Sequence, residues 1–269
     1  MREGVQENAP ELLERCIELV GEDPFQRVED STRFQQPAIF CASIASWRRV
    51  APHVEPDVMV GHSLGELAAL AAAGAIPEDA ALQLVVTRGT VMAEAADAQS
   101  EGAMLAVLKG TPEQAHELAE AHGVHVANDN APGQSVLSGK RSGLEQVSEA
   151  AREEGLRTMW LAVAGAFHSP DMHEAAERFR SALGEVEFST PNVEVFSCAT
   201  AAPFEDPANQ LAEALVEPVR WRETMLALHE RGIDRYVDAG PGKTLAALVA
   251  RNLDDAQAEL AEDLDGAAA

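Results

Sequence analysis

The sequence predicts an α/β protein of two unequal parts, and three observations predict it. A short apolar run, Val58-Met59-Val60, stops at Gly61 and gives way to an Ala- and Leu-rich helical stretch over 66–75, the pattern of a buried strand feeding a helix. Residues 102–164 change character and read β-α-β-β-α-β, a compact unit inside a longer α/β chain. Apolar residues make up 46% of the 269 and charged residues 24%, which suits a packed core and excludes a disordered chain.

Each element has its own signal. Residues 6–20 place Leu12, Leu13, Cys16, Ile17 and Val20 at helical spacing, and Gly21 closes the pattern as a C-cap. A helix over 36–50 follows, with Pro37 in its first turn. The inserted unit opens with a strand over 104–108. Thr111-Pro112-Glu113 then supplies an N-cap and an N1 proline for a helix to His122. Strands over 124–127 and 135–138 are joined through Asn128-Asp129-Asn130-Ala131-Pro132-Gly133, read as a turn. A helix over 143–154 and a strand over 158–163 complete a ferredoxin-like order. Beyond it come a helix over 170–183, a strand over 193–196, a helix-rich stretch to Arg231, a strand over 234–237 and a helix over 244–252. The acidic, Ala-rich tail 254–269 is expected to fray. The expected division is a large subdomain of 1–97 and 166–269 around a small one of 98–165.

Twenty basic residues against 45 acidic ones leave a net charge of −25. That balance argues against nucleic-acid partners and anionic membrane surfaces, both of which need basic patches. The longest apolar run, 67–76, is about half of a bilayer span. The acidic N-terminus carries no hydrophobic signal region. Cys16, Cys41 and Cys198 are far apart and lack metal-ligand spacing. A reducing cytoplasm fits these features together.

The most specific segment is Val58-Met59-Val60-Gly61-His62-Ser63-Leu64-Gly65-Glu66. Ser63 stands in G-x-S-x-G spacing between a strand and a helix, where glycines at 61 and 65 permit a sharp turn that projects the hydroxyl. The backbone N–H of Leu64, in the first helical turn, is the expected oxyanion donor. A nucleophilic serine needs a base, so the eight histidines must be sorted. His116, His122 and His125 read as solvated residues of the insertion, His229 as a helix-end cation, His53 as a loop residue and His173 as a helix-surface residue. His62 adjoins the nucleophile with its side chain expected to turn away. His168 differs, because Gly165-Ala166-Phe167-His168-Ser169-Pro170 is an irregular segment returning from the insertion to the main sheet. Gly240-Pro241-Gly242-Lys243-Thr244 imitates a phosphate loop, but the spacing would require Gly at 237 and the residue is Val237. A tight turn between strand and helix is the better reading.

Five segments now carry a family resemblance: Gly-His-Ser-Leu-Gly-Glu at 61–66, Asn-Ala-Pro-Gly-Gln at 130–134, Ala-Phe-His-Ser at 166–169, Pro-Val-Arg-Trp at 218–221 and Gly-Pro-Gly-Lys at 240–243. In this order the chain resembles the malonyl-CoA:acyl-carrier-protein transacylases and the related acyltransferase domains of polyketide synthases, over residues 5–253. The resemblance implies a hydrolase-like parallel sheet in the large subdomain and acyl transfer from malonyl-CoA to acyl carrier protein in fatty acid synthesis. It implies Ser63 as nucleophile and His168 as base, oriented by the backbone carbonyl of Ala214, where many relatives carry Gln. It implies Arg88, in Val85-Val86-Thr87-Arg88-Gly89, as the clamp on the malonyl carboxylate. No metal or redox cofactor is implied. The family begins with a strand and a Phe-Pro-Gly-Gln-Gly-Ser-Gln segment that completes the oxyanion hole, and Met1 lies beyond the matching point. An unpaired strand edge and a weakened oxyanion site are therefore expected. Other readings are a polyketide acyltransferase, an esterase or thioesterase of Ser-Asp-His order, and a non-catalytic carrier-binding remnant. The esterase order is disfavoured, since the only late histidine is His229.

Overall fold

The computed structural model describes residues 1–99 and 101–264. Its first helices, α1 (Arg2–Asn8) and α2 (Pro10–Val20), are two where one was expected, because Pro10 sits at N1 of the second and Ala9 breaks the first. Gly21 ends α2 in the left-handed conformation. Helix α3 (Thr32–Val50) starts earlier than the apolar pattern suggested. The Ser31 hydroxyl accepts the Arg33 N–H, so Pro37 stands inside the helix and not in its first turn.

Strand β1 (Val58–Val60) leads through Ser63 into α4 (Gly65–Ala72), and α5 (Glu78–Ala98) follows. The inserted unit is β2 (Gly102–Leu108), α6 (Pro112–His122), β3 (His125–Ala131), β4 (Gln134–Lys140), α7 (Arg141–Glu153) and β5 (Arg157–Trp160). Its antiparallel sheet has the order β3-β4-β2-β5, the ferredoxin-like arrangement. Thr111 and Gln114 close a capping box at the start of α6. Strand β2 is apolar throughout because it is buried on both faces. Ala103, Leu105 and Val107 pack under α6 and α7, while Met104 and Ala106 face the main core.

The chain returns through α8 (His173–Leu183), β6 (Glu194–Ser197), β7 (Ala202–Pro203), α9 (Pro207–Glu213), α10 (Trp221–Glu230), β8 (Arg235–Asp238) and α11 (Thr244–Asn252). Strand β1 pairs in parallel with β6, which pairs with β7. The 254–269 tail corrects an expectation. Residues 257–260 form β9 (Gln257–Leu260), parallel to β8 and tied to it by Arg235–Glu259, before α12 (Ala261–Leu264). Residues 265–269 lie outside the described residues. Among the described residues, β1 and β8 each have an unpaired edge, and both strands line a cleft of about 360 Å³ walled by apolar side chains such as Ile44, Trp47, Met225 and Val249.

Asn128-Asp129-Asn130 also departs from expectation. These residues belong to β3, and only Pro132-Gly133 turns the chain. Their polar groups are buried because the large part of the protein supplies partners. Asp129 forms an ion pair with Arg222 at 2.7 Å, its N–H donates to the Val219 carbonyl, and the Val219 N–H donates to Ala127. Among the described residues, no helix is long and apolar enough to cross a membrane.

Candidate active site

The site begins with two strained residues. Ser63 has φ 53° and His168 has φ 54°, both in the left-handed region that non-glycine residues seldom adopt. Ser63 is forced there by the turn from β1 into α4. A Cβ on Gly61 would lie 1.9 Å from the Gly65 carbonyl carbon, so the turn closes only with glycine at 61. Gly65 itself has open space around it, so the steric demand falls on one of the two expected glycines. His168 is held by the tight segment before α8, where the buried Ser169 hydroxyl donates to the Ala166 carbonyl at 2.6 Å.

These two turns bring together residues 105 positions apart: Ser63 Oγ and His168 Nε2 are 2.8 Å from each other. On the other side of the ring, His168 Nδ1 lies 2.8 Å from the Ala214 carbonyl and 3.2 Å from that of Glu217. Carbonyls only accept, so Nδ1 carries the proton and Nε2 faces the serine as an acceptor. Burial, then the nearby Arg88 cation, then His62, press the imidazole down to about 3, so the ring is neutral at physiological pH. A serine hydroxyl directed at a neutral imidazole is the arrangement for nucleophilic acyl chemistry. The Ser-Asp-His order of an esterase is not met, because the ring is oriented by carbonyls.

The other histidines lie elsewhere. His53, His116, His125, His173 and His229 are exposed, and His122 Nδ1 reaches Gln146. His62 turns away from Ser63, as expected, toward Asn130 at 2.8 Å and the Trp221 ring at 5.5 Å. This clasp fastens β3 of the inserted sheet to the nucleophile turn. Leu64 is the N-cap of α4, and its N–H donates to no protein acceptor among the described residues.

Arg88 arrives on α5, which crosses α3 at close range. A Cβ at Gly89 would lie 3.1 Å from the Thr32 carbonyl oxygen, so glycine permits the approach. The crossing sets Gln36 against Arg88, whose Nη1 donates to Gln36 Oε1 at 2.6 Å while Nη2 donates to Ser63 Oγ at 3.0 Å. The Gln36 amide is fixed in turn by the Thr32 hydroxyl at 2.8 Å and Met92 Sδ at 3.3 Å. Arg88 is 4% exposed, and no carboxylate among the described residues touches it. Burial lowers its pKa to about 10 against the opposing pull of the buried Glu66 carboxylate, which leaves it cationic at neutral pH. Sequence reasoning missed Gln36, although an amide one turn before Phe40, in a helix whose other buried residues are apolar, is a usable signal.

It also missed Glu66, buried at 2% exposure one turn after Ser63. Glu66 Oε1 accepts the Cys198 N–H at 2.7 Å and so ties α4 to the end of β6. Burial pushes its carboxyl up to about 7, against the opposing pull of that N–H, Arg88 and Ser197. No group of three His, Cys, Asp or Glu side chains among the described residues is placed to hold a metal ion.

A family model for the acyl transferase domain matches residues 15–266. The chain belongs to this acyl transferase family. The acyltransferase is 38% identical over 224 residues to the malonyl CoA-acyl carrier protein transacylase of Bacillus subtilis, a match covering 80% of this chain and 70% of that protein. It is 35% identical to the polyketide biosynthesis malonyl CoA-acyl carrier protein transacylase BaeC of Bacillus velezensis, over 92% and 90% of the two chains. The crystal structure of malonyl CoA-acyl carrier protein transacylase from Clostridium perfringens superposes with a TM-score of 0.90 at 29% identity, over 99% of this chain and 91% of that one.

One prediction concerns Glu66. Its carboxyl titrates near 4.5 when exposed and near 7 when folded, so protonation favours the folded state. That contribution is full below about pH 4.5 and lost as pH rises through about 7. Glu66→Gln, a neutral stand-in, should gain thermal midpoint over the parent progressively across this interval and level off above it. Midpoints of both proteins measured across the interval check this, and a constant difference contradicts it.

Proposed function

We propose that this acyltransferase moves a malonyl group from malonyl-CoA to the phosphopantetheine thiol of acyl carrier protein, through an ester on Ser63, in fatty acid synthesis in the cytoplasm. The observation that carries the reading is Arg88: a buried cation that donates to the nucleophile and touches no carboxylate of its own. A buried charge with no carboxylate bonded to it is costly, and a carboxylate on the incoming acyl group lowers that cost.

In the first half-reaction Ser63 Oγ attacks the thioester carbonyl while its proton passes to His168 Nε2. The Ala214 and Glu217 carbonyls stabilise the imidazolium that forms. The Leu64 N–H, at the positive end of α4, donates to the oxyanion. The C–S bond then breaks, and His168 returns the proton to the leaving thiolate. The second half-reaction repeats these steps with the carrier thiol as nucleophile, which predicts ping-pong kinetics. A polyketide pathway is the second reading, favoured by the match to BaeC across 92% of the chain.

Ser63→Ala should abolish covalent labelling by malonyl-CoA, and His168→Ala should slow it by about 10³-fold or more. Intact-protein mass spectrometry reads both, and labelling of Ser63→Ala at the parent rate overturns the assignment.

Arg88→Ala should lose malonyl transfer and relatively favour acetyl-CoA, with Lys a poor replacement because a point charge lacks the planar fork. An unchanged malonyl-to-acetyl preference assigns the clamp elsewhere.

Gln36 supplies a sharper test, because its amide holds Arg88 without neutralising it. Gln36→Glu places an internal carboxylate on the guanidinium, so malonyl selectivity should fall by about tenfold, the scale of one charge-assisted hydrogen bond. Competition between malonyl-CoA and acetyl-CoA measures it, and preserved selectivity contradicts this role.

A further inference from the structure

Two groups converge on the Ser63 oxygen. Ser63 Oγ lies 2.8 Å from His168 Nε2, and Arg88 Nη2 donates to it at 3.0 Å. The hydroxyl proton faces the imidazole, so the guanidinium hydrogen bond occupies a lone pair of the nucleophile. The oxygen keeps a second lone pair, but a cationic donor on the first draws electron density from it and lowers its readiness to attack. The same cation opposes the imidazolium that must form when His168 takes the proton, and Arg88 is the second cause, after burial, of the depressed His168 basicity. Gln36 fixes the other prong, so the guanidinium cannot drift off by itself.

We propose that Arg88 is a latch on the nucleophile, released by a carboxylate anion at the guanidinium, so that the substrate's carboxylate activates Ser63 as well as binding there. The inference rests on the acyl-transfer reading above and deepens it. A carboxylate is a stronger acceptor than a serine hydroxyl, so it takes Nη2 from Ser63 Oγ. It also neutralises the charge that faces His168, and in a buried site that matters far more than in water. Selectivity between malonyl and acetyl groups then resides in the rate of acylation as well as in affinity. A neutral acyl thioester can reach the site, but it meets a nucleophile held by a cationic donor and a base that resists its proton. The latch also protects the empty enzyme from neutral electrophiles.

The electron accounting is unchanged from ordinary acyl transfer. The Oγ–C bond forms, the C–S bond breaks, and the proton moves from Oγ to Nε2 and then to the departing thiolate. The anion enters none of these bonds.

A latch of this kind can be opened by a detached carboxylate, and that separates it from simple recognition. The experiment follows Ser63 acetylation by acetyl-CoA at saturating thioester in the 269-residue protein, with formate titrated against chloride at equal ionic strength. Acetyl plus formate presents the pieces of malonyl in two molecules. The latch predicts that formate raises the acylation rate by about tenfold, the worth of one charge-assisted hydrogen bond, with little change in half-saturation by acetyl-CoA. Arg88→Ala should acetylate without any formate response, and Arg88→Met, which keeps much of the side-chain volume, should behave alike. If formate leaves the parent rate unchanged or inhibits it, or if it accelerates the Arg88 variants equally, the latch is wrong. No acetylation of Ser63 under any condition, together with no malonylation, would instead overturn the acyl-transfer reading.

Discussion

The site depends on a single constraint: a buried guanidinium held by an amide and not by a carboxylate. Arg88 has one prong on Gln36 Oε1 and one on Ser63 Oγ, and neither partner carries charge. An acidic residue in place of Gln36 would make a more comfortable interior, since a paired buried charge is far cheaper than an unpaired one. The protein keeps the cost, and with it an appetite for a substrate carboxylate. Glu66 shares the interior with Arg88 and attracts it through space, but its hydrogen bond goes to the Cys198 N–H, so it steadies the nucleophile turn and leaves the guanidinium without a bonded carboxylate.

Much of the fold serves this point. The close crossing of α3 and α5 at Gly89 brings the amide to the guanidinium. The turn at Gly61 and the segment closed by Ser169 hold Ser63 and His168 in left-handed conformations, a cost of order 1–3 kcal/mol each that the surrounding packing must offset. The inserted sheet is anchored at the same place, through His62 to Asn130 and through Asp129 to Arg222. Displacement of β3 would therefore reach the nucleophile turn directly.

The sequence made some of this legible and concealed the rest for physical reasons. The nucleophile turn could be read because its requirements are local: a strand, a glycine where no Cβ fits, and a helix. The strand-helix order of the insertion was readable because its signals are local too: short strand-like runs, the Thr111-Pro112 helix start and a turn at Pro132-Gly133. Gln36 and Glu66 were hidden because a single polar side chain in an apolar stretch says nothing of its partner across the core. Asn128-Asp129-Asn130 misled because these residue types favour turns, and only the large part of the protein supplies the partners that hold them in a strand. The carbonyls of Ala214 and Glu217 act through the backbone, so no side chain announces them, and only the family resemblance pointed to Ala214. Strand β9 was missed because an acidic, Ala-rich segment acquires order only by adding to the edge of β8.

The central claim is that Arg88 is a buried cation with no carboxylate bonded to it, and that its natural partner is the acyl carboxylate. The most direct test is equilibrium binding of malonyl-CoA and acetyl-CoA to the Ser63→Ala protein by titration calorimetry, where no ester can form. The account predicts tighter binding of malonyl-CoA by about tenfold or more, as expected for a carboxylate that satisfies a buried guanidinium. Equal affinities for the two thioesters would contradict it.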